Sequence, residues 1–405
     1  MKILVLGGGA SGLACAINLK RQGHDVIIIE KNKSLGKKIL ITGNGRCNYF
    51  NSDFSFEKYF TNDIDSLKEI INNKNKEKLL EFYNSLGIVP SIINGYYYPY
   101  SDQAITFNYA LINTVKALNI KTILEAEVKK IEKKDKFTVY YNDKKIESDK
   151  IVISMGSKCY PKTGSTGDSY KFIKEFGHKI EKPYPALVAL KTNDMITKQC
   201  TGVRCSIRNE LLVNDKKIYT DQGKLQINND SISGICILNI SGLAVKHLLA
   251  KDKVSVKINF LHDLNINHEN FNSFLDNLSK KTDKNKVYDL LEGILNYKLV
   301  DYFFKKAKID KDVDYSNITK KELDILNRLI TEYIIDINSY KDFDNAQTSG
   351  GGVPLNEVNL KTMESKIVKG LYIIGETLEP YGICGGYNLS FSFLTGLLVG
   401  SELKK

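Results

Sequence analysis

The sequence predicts an α/β protein: a parallel-sheet domain, discontinuous in the chain, interrupted by a β-barrel or sandwich insertion that carries a helical subdomain. Three observations predict it. A buried-strand pattern at the N-terminus runs straight into a glycine-rich turn and a helix. A second strand ending in Gly-Glu, followed by an apolar helix, lies near the C-terminus. Between them, after Lys182-Pro183-Tyr184-Pro185, the hydrophobic pattern changes character.

Ile3-Leu4-Val5-Leu6 is a short apolar run of the kind a fully buried parallel strand shows. Gly7-Gly8-Gly9-Ala10-Ser11-Gly12 follows and fits G-x-G-x-x-G, and Leu13, Ala16 and Ile17 continue at helical spacing. Val26-Ile27-Ile28-Ile29 then forms a second strand ending in Glu30. Each part has a physical task in a Rossmann-type dinucleotide site. Gly7 permits the tight turn, Gly9 lets a pyrophosphate approach the backbone, and Gly12 lets helix and strand pack closely. Ala10 and Ser11 open the helix, whose free N–H groups face the anion. Glu30, with Lys31 beside it, is placed to meet the adenosine ribose diol.

The C-terminal signature selects FAD over a nicotinamide dinucleotide, because FAD is long enough to need an anchor at each end. Gly370 to Glu376 predicts a buried strand ending in Gly375-Glu376, with Glu376 placed for the ribityl hydroxyls. Gly386, Tyr387, Asn388 and Leu389 open an apolar helix whose N–H groups suit a reduced flavin carrying negative charge. Ala126 to Ile131 leads into a hairpin, Phe137–Tyr141 with Lys145–Glu147. Val128 there is the candidate for adenine contact, and Ile151–Met155 returns as a buried strand ending at Gly156.

Gly36-Lys37-Lys38-Ile39-Leu40-Ile41-Thr42-Gly43-Asn44-Gly45-Arg46-Cys47-Asn48 resembles a loop of the BaiN/YhiN-type family of bacterial FAD flavoproteins, described as aminoacetone-oxidase-like or NAD(P)/FAD-dependent oxidoreductases. Tyr160 to Asp168, Thr362 to Lys366 and Gly385-Gly386-Tyr387-Asn388 are similar to its other signatures, in the same order along the chain. The resemblance implies a split FAD domain with an insertion, and it adds Lys38, Thr42, Gly45, Arg46, Cys47 and Asn48 to the cofactor candidates. Two segments depart from the family pattern, Glu379-Pro380-Tyr381-Gly382 and Ile227 to Gly234, so the substrate is not carried over from relatives. The expected domains are 1–185 and 351–405 for FAD, 186–262 and 334–350 for the β-rich insertion, and 263–333 for its helical subdomain. The insertion's expected strands include Leu187–Leu190, Leu211–Val213, Ile235–Leu238 and Val254–Ile258. Its expected helices run through Phe271–Leu278 and Leu323–Tyr333.

Flavin carries the redox chemistry, so the chain need supply only position and a proton. Tyr381 and Tyr387 are the candidate proton donors. No metal site or Ser-His-Asp set is legible. The five His residues (24, 178, 247, 262, 268) are scattered and expected at surfaces or turns. Cys200 and Cys205 have the C-x4-C spacing of flavin disulfide reductases, but their place in strand-like sequence argues for packing. A single G-x-G-x-x-G in strand–turn–helix context leaves no second Rossmann domain, so NAD(P)H would act as a transient donor.

The 405 residues carry 58 Lys+Arg against 47 Asp+Glu, a net +11, with 42% hydrophobic content and seven Cys. That composition excludes wholesale disorder and a disulfide framework, and no apolar run is long enough for a membrane helix. A cytoplasmic enzyme is expected. No long block of like charge occurs, and the positive excess sits mainly in residues 1–60 and 110–182, which disfavours a nucleic-acid partner. The leading expectation is an FAD-dependent oxidoreductase moving a hydride between flavin and a small organic substrate, with NAD(P)H-driven reduction of an activated C=C. The alternatives are an RNA-modifying or RNA-binding flavoprotein and a non-catalytic flavin sensor. The oligomeric state stays open.

Overall fold

In the computed structural model the described residues are 1–400. Residues 401–405, the end of the expected second FAD segment, lie outside them. The chain forms two compact units, residues 1–185 with 346–405, and residues 186–345.

The first unit is built on a five-stranded parallel sheet. Its strands are β1 (Lys2–Leu6), β2 (Asp25–Ile29), β3 (Lys121–Ile123), β4 (Lys150–Ile153) and β5 (Leu371–Ile373), in the order β5-β4-β1-β2-β3. All four pairings are parallel, with Leu4 between Ile27 and Ile151 at the centre. A parallel sheet covered on both faces needs continuous apolar strands, and Ile3–Leu6 and Ile151–Ile153 are fully buried. The strand nearest the C-terminus thus lies beside one that precedes the insertion, so the sheet closes only when both segments are present. The expected hairpin supplies the central strand and one edge of a three-stranded antiparallel sheet, Val128–Lys133, Phe137–Tyr141 and Lys144–Ser148.

Two helices meet the sheet through glycine. Helix α1 (Ala10–Arg21) follows β1, and helix α2 (Tyr387–Leu398) follows β5 and packs along α1. A Cβ on Gly396 would lie 2.4 Å from the Ser11 carbonyl oxygen. One on Gly12 would lie 2.0 Å from the Gly7 carbonyl oxygen. Backbone therefore touches backbone where any side chain would intervene.

The second unit carries a seven-stranded antiparallel sheet. Residues Tyr333–Asp336 pair with Val254–Asn259, and Ser339–Tyr340, directly downstream, pair with Leu190–Lys191 at the other edge. One chain segment thus runs between both edges of the sheet and curls them toward one another. Six helices accompany it, the longest Ile235–Leu249.

Three local expectations are corrected. Leu187–Leu190 is not a strand: Leu187, at φ +51°, breaks the chain after the strand Glu181–Ala186, and only Leu190 enters the short strand Leu190–Lys191. Ile235–Leu238 is the first turn of a helix, not a strand: Gly234, at φ +98°, ends the preceding strand, and a short apolar run has no periodicity to separate helix from strand. Tyr333 starts a strand rather than ending a helix, because helix Lys320–Thr331 stops at Thr331. No helix among the described residues is long and apolar enough to cross a membrane.

Gly396→Ala is expected to cost about 2 kcal/mol through overpacking, lowering the melting temperature by roughly 4–8 °C. An unchanged thermal melt would show that α1 and α2 do not meet this closely.

Candidate functional site

The glycine turn sits at the C-terminal edge of β1. Gly7 adopts φ +105°, and a Cβ there would lie 2.5 Å from the Ser154 carbonyl oxygen. By contrast, a Cβ on Gly9 would meet nothing within 4 Å, so this face of the turn opens onto free space. Helix α1 begins at Gly9 with no side-chain cap and no acidic residue in its first turn. Its N–H groups and positive dipole end are therefore left for an anion. Open space at Gly9 and an uncapped N-terminus are what a pyrophosphate requires.

Glu30 is 8% exposed. Its Oε2 accepts from the Gly8 N–H at 2.7 Å, and its Oε1 accepts from the Asn32 N–H and side-chain amide at 2.8 and 2.7 Å. The carboxylate is held rigidly against the glycine turn, with lone pairs remaining for a ribose diol. The Tyr160–Asp168 segment closes on the same end of β2. Asn32 donates to the Thr163 carbonyl at 3.0 Å, and the Lys31 ammonium binds Asp168 and Thr166 at 2.9 and 2.7 Å.

At the other end, Glu376 follows β5. Gly375, at φ +70°, sits where a Cβ would meet Ser11 Oγ at 2.5 Å, and its N–H donates to Thr395 of α2. The Glu376 carboxylate accepts from the Lys38 ammonium at 2.6 Å, from Ser157 at 3.3 Å and from Thr348 at 3.4 Å. Burial alone lowers the pKa of Lys38, but Glu376 outweighs it and raises the ammonium above the ordinary lysine range. The structure thus brings together two candidates 338 residues apart in sequence.

Helix α2 starts at Gly386, φ +92°, again without a side-chain cap or first-turn acid. Asn388 uses its amide on the loop itself, accepting from the Gly382 N–H and donating to the Gly382 carbonyl at 2.8 and 2.9 Å. It fixes the entry to α2, while Leu389 packs on the core. Gly156, at φ +77°, offers its carbonyl to Ser169 and Thr377. Val128 begins its strand and is 7% exposed.

The Thr42–Asn48 loop is tightly wound. Thr42 donates to the Ile39 carbonyl, and Gly43, Asn44, Gly45 and Cys47 all adopt positive φ. Cys47 is fully buried, and burial pushes its thiol up to about 12, which keeps it neutral. The Asn48 amide donates to the Tyr97 and Phe50 carbonyls. Arg46 points to the surface, paired with Asp102 at 2.6 Å and 4.3 Å above the Tyr98 ring. Tyr387 and Tyr381 are 4% and 2% exposed. Tyr59 donates to the Tyr387 carbonyl at 2.9 Å, and the Tyr381 ring stacks on Phe60 at 5.1 Å.

Sequence reasoning missed several supports. Ser154 donates to the Leu6 and Gly7 carbonyls and braces the glycine turn, and a Ser one residue past a buried strand was the available signal. Asn32 and Ser157 were missed for the same reason, since each acts through another residue. Histidines 24 and 178 are corrected: both are 3% exposed rather than at the surface. His178 is locked between Glu357 at 2.8 Å and Ser365 at 2.7 Å, and no local pattern announces partners nearly 180 residues away. Cys200 and Cys205 are free thiols. Among the described residues, no His/Cys/Asp/Glu group could hold a metal ion.

Comparison with known proteins places the chain in a family. The family described as HI0933-like protein Rossmann domain matches residues 1–402. A curated relative from Clostridium scindens, named 3-dehydro-bile acid delta(4,6)-reductase, is 32% identical, with 98% of each chain covered. A Haemophilus influenzae protein named ribosomal RNA dihydrouridine synthase is 25% identical over 96% of this chain and 95% of its own. Among solved structures, a flavocytochrome c3 fumarate reductase matches with a TM-score of 0.52 and 15% identity, covering 98% of this chain and 77% of its own, and supports the fold.

Lys38→Met leaves the half-buried Glu376 without its cation. It is expected to cost about 2 kcal/mol and to weaken FAD retention on gel filtration. Because the Lys38 pKa is raised, the pair's contribution is complete below the ordinary lysine pKa and is lost only as pH rises through the raised value. The difference in melting temperature between wild type and variant should therefore stay constant between about pH 6 and 9. A difference that vanishes within that window would exclude the pair as its source.

Proposed function

The chain belongs to the HI0933-like Rossmann family, FAD-dependent oxidoreductases, and on that premise we propose that it reduces a carbon–carbon double bond conjugated to a carbonyl group. The observation that carries the reading is the pair of uncapped helix N-termini, at Gly9 and Gly386, held in one unit with the half-buried Lys38–Glu376 pair. Two full-length relatives support the reaction class. Their names specify different substrates, yet a steroid enone and a uracil ring both present C=C beside C=O.

FAD, once reduced by an external donor, would supply the hydride for the β-carbon of the substrate. Gly7, Gly9 and Gly12 with the α1 N-terminus would hold its pyrophosphate, and Glu30 its ribose. Glu376, positioned by Lys38, would take the ribityl chain, and the α2 N-terminus would stabilise negative charge on the reduced ring. A tyrosine then delivers a proton to the α-carbon. Tyr387, first residue of α2, is the better placed of the two candidates. Burial pushes its hydroxyl above the ordinary tyrosine range, so the donor stays protonated through neutral pH. NAD(P)H is the proposed electron donor, a small organic enone the first substrate class and cytoplasm the proposed location. A uracil within RNA is the second substrate reading, favoured by the H. influenzae relative.

The test is anaerobic. NADH or NADPH should bleach the flavin-loaded protein, and an α,β-unsaturated ketone should restore the colour. A protein that holds no flavin after reconstitution would refute the proposal. Tyr387→Phe should slow the reoxidation by roughly 100-fold while leaving flavin reduction unchanged. The wild-type rate should fall only as pH rises past the ordinary tyrosine range. Equal rates in the variant would remove Tyr387 as donor.

A further inference from the structure

The second unit presents a row of cations that the chain order conceals. Strand Arg204–Val213 pairs with Lys216–Ile227 so that Arg204 faces Gln226, Ser206 faces Lys224 and Arg208 faces Gln222. The alternate residues Ile207, Asn209 and Leu211 point inward and are fully buried. The outward face therefore carries Arg204, Lys224 and Arg208 in line, all three exposed. Two residues of strand advance ~7 Å, so the cations step along the hairpin at that pitch.

None of the three is neutralised. Among the described residues, no carboxylate pairs with Arg204, Lys224 or Arg208. Arg204 donates to the Gln226 side chain, and Lys224 donates to Ser206 at 2.6 Å. The next acid along this face, Glu210, is already held by Lys257 at 3.1 Å and Lys217 at 3.6 Å. Around the row stand neutral hydrogen-bonding groups, Gln222 joined to His262 at 2.8 Å and the half-buried Gln226.

We propose that this hairpin face holds the sugar–phosphate backbone of a single-stranded RNA segment. Evenly spaced, unpaired cations in a line match the repeat of phosphates along an extended strand, and the flanking amides can meet 2′-hydroxyls and phosphate oxygens. An anionic membrane would also attract the charge, but binding to a bilayer surface uses apolar side chains beside the cations, and the cross-strand row from Arg204 to Gln226 has none. The surface goes beyond the reaction class proposed above. Its test is binding, which is measurable whether or not that reduction occurs.

The flavin-loaded full chain is titrated against a fluorescein-labelled oligouridine of about 16 nucleotides, followed by fluorescence anisotropy at several salt concentrations. Wild type should bind saturably at low salt. The triple variant R204Q/R208Q/K224Q should bind at least tenfold more weakly, with the slope of log affinity against log salt shallower by about 2. A control variant removing the same charge elsewhere in the unit, K281Q/K284Q/K321Q, should bind like wild type. Flavin content and thermal melts confirm that all three proteins are folded. The proposal is overturned by any of three results: no binding by wild type, equal weakening in both variants, or loss of binding to phosphatidylserine vesicles in the triple variant while the oligouridine never binds.

Discussion

The first unit depends on one constraint: backbone must touch backbone where α1 and α2 converge on the parallel sheet. A glycine turn alone makes a loop. It becomes a site because Gly12 lets α1 sit against the turn, Gly396 lets α2 sit against α1, and Gly375 clears Ser11. The same contacts fix both helix N-termini at the C-terminal edge of the sheet, where parallel α/β folds place their ligands. They also explain the buried side chains around them. Once the helices are this close, Ser154, Thr395 and Asn18 can satisfy the exposed carbonyls and N–H groups of the junction, and an alternative packing would leave those groups unpaired.

Much of this was legible because the information is local. β1, the turn and α1 occupy consecutive residues, and the roles of Gly7, Gly9 and Gly12 follow from where a Cβ would go. The uncapped starts at Gly9 and Gly386 were likewise visible as small residues preceding apolar helices. What escaped was non-local or degenerate. Lys38 and Glu376 were each recognisable as candidates, but nothing in either neighbourhood says that one holds the other. His178 between Glu357 and Ser365 is the same case, a polar triad assembled from distant segments. Ile235–Leu238 failed for a different reason: four apolar residues fit a strand and a buried helix equally, and the deciding facts are Gly234 and the packing of that helix against the sheet.

One of the two departures from the family pattern, Glu379 to Gly382, falls in a region dense in aromatic rings. Glu379 is 5% exposed, and its carboxylate accepts from Thr61 and from the Asn62 N–H. Tyr381 lies between Phe60 and the Tyr184 ring, whose position requires the absence of a side chain at Gly350. A carboxylate in the place of Tyr381 would have to be buried against two aromatic rings, at a high desolvation cost. The phenol at Tyr381 is therefore coupled to Phe60, Tyr184 and Gly350. It sets the polarity of the loop that leads into α2.

Charge shows most sharply how a sheet changes what a sequence means. The +11 is spread along the chain without a run, and the spread argued for a solvated surface. In the first unit Lys31, Lys38 and Arg46 are each matched to a carboxylate within 3 Å. The hairpin of the second unit behaves otherwise. Arg204 and Lys224 are 20 residues apart in sequence, yet antiparallel pairing sets them beside one another's partners on one face. Linear charge counting detects stripes on helices and in tails, where neighbours in space are neighbours in sequence. It is blind to a cross-strand stripe, whose members are contributed one at a time by alternation. Net charge alone does not register such a row. Whether a cation has a carboxylate partner does, and by that measure the hairpin face differs from Lys31, Lys38 and Arg46 of the first unit.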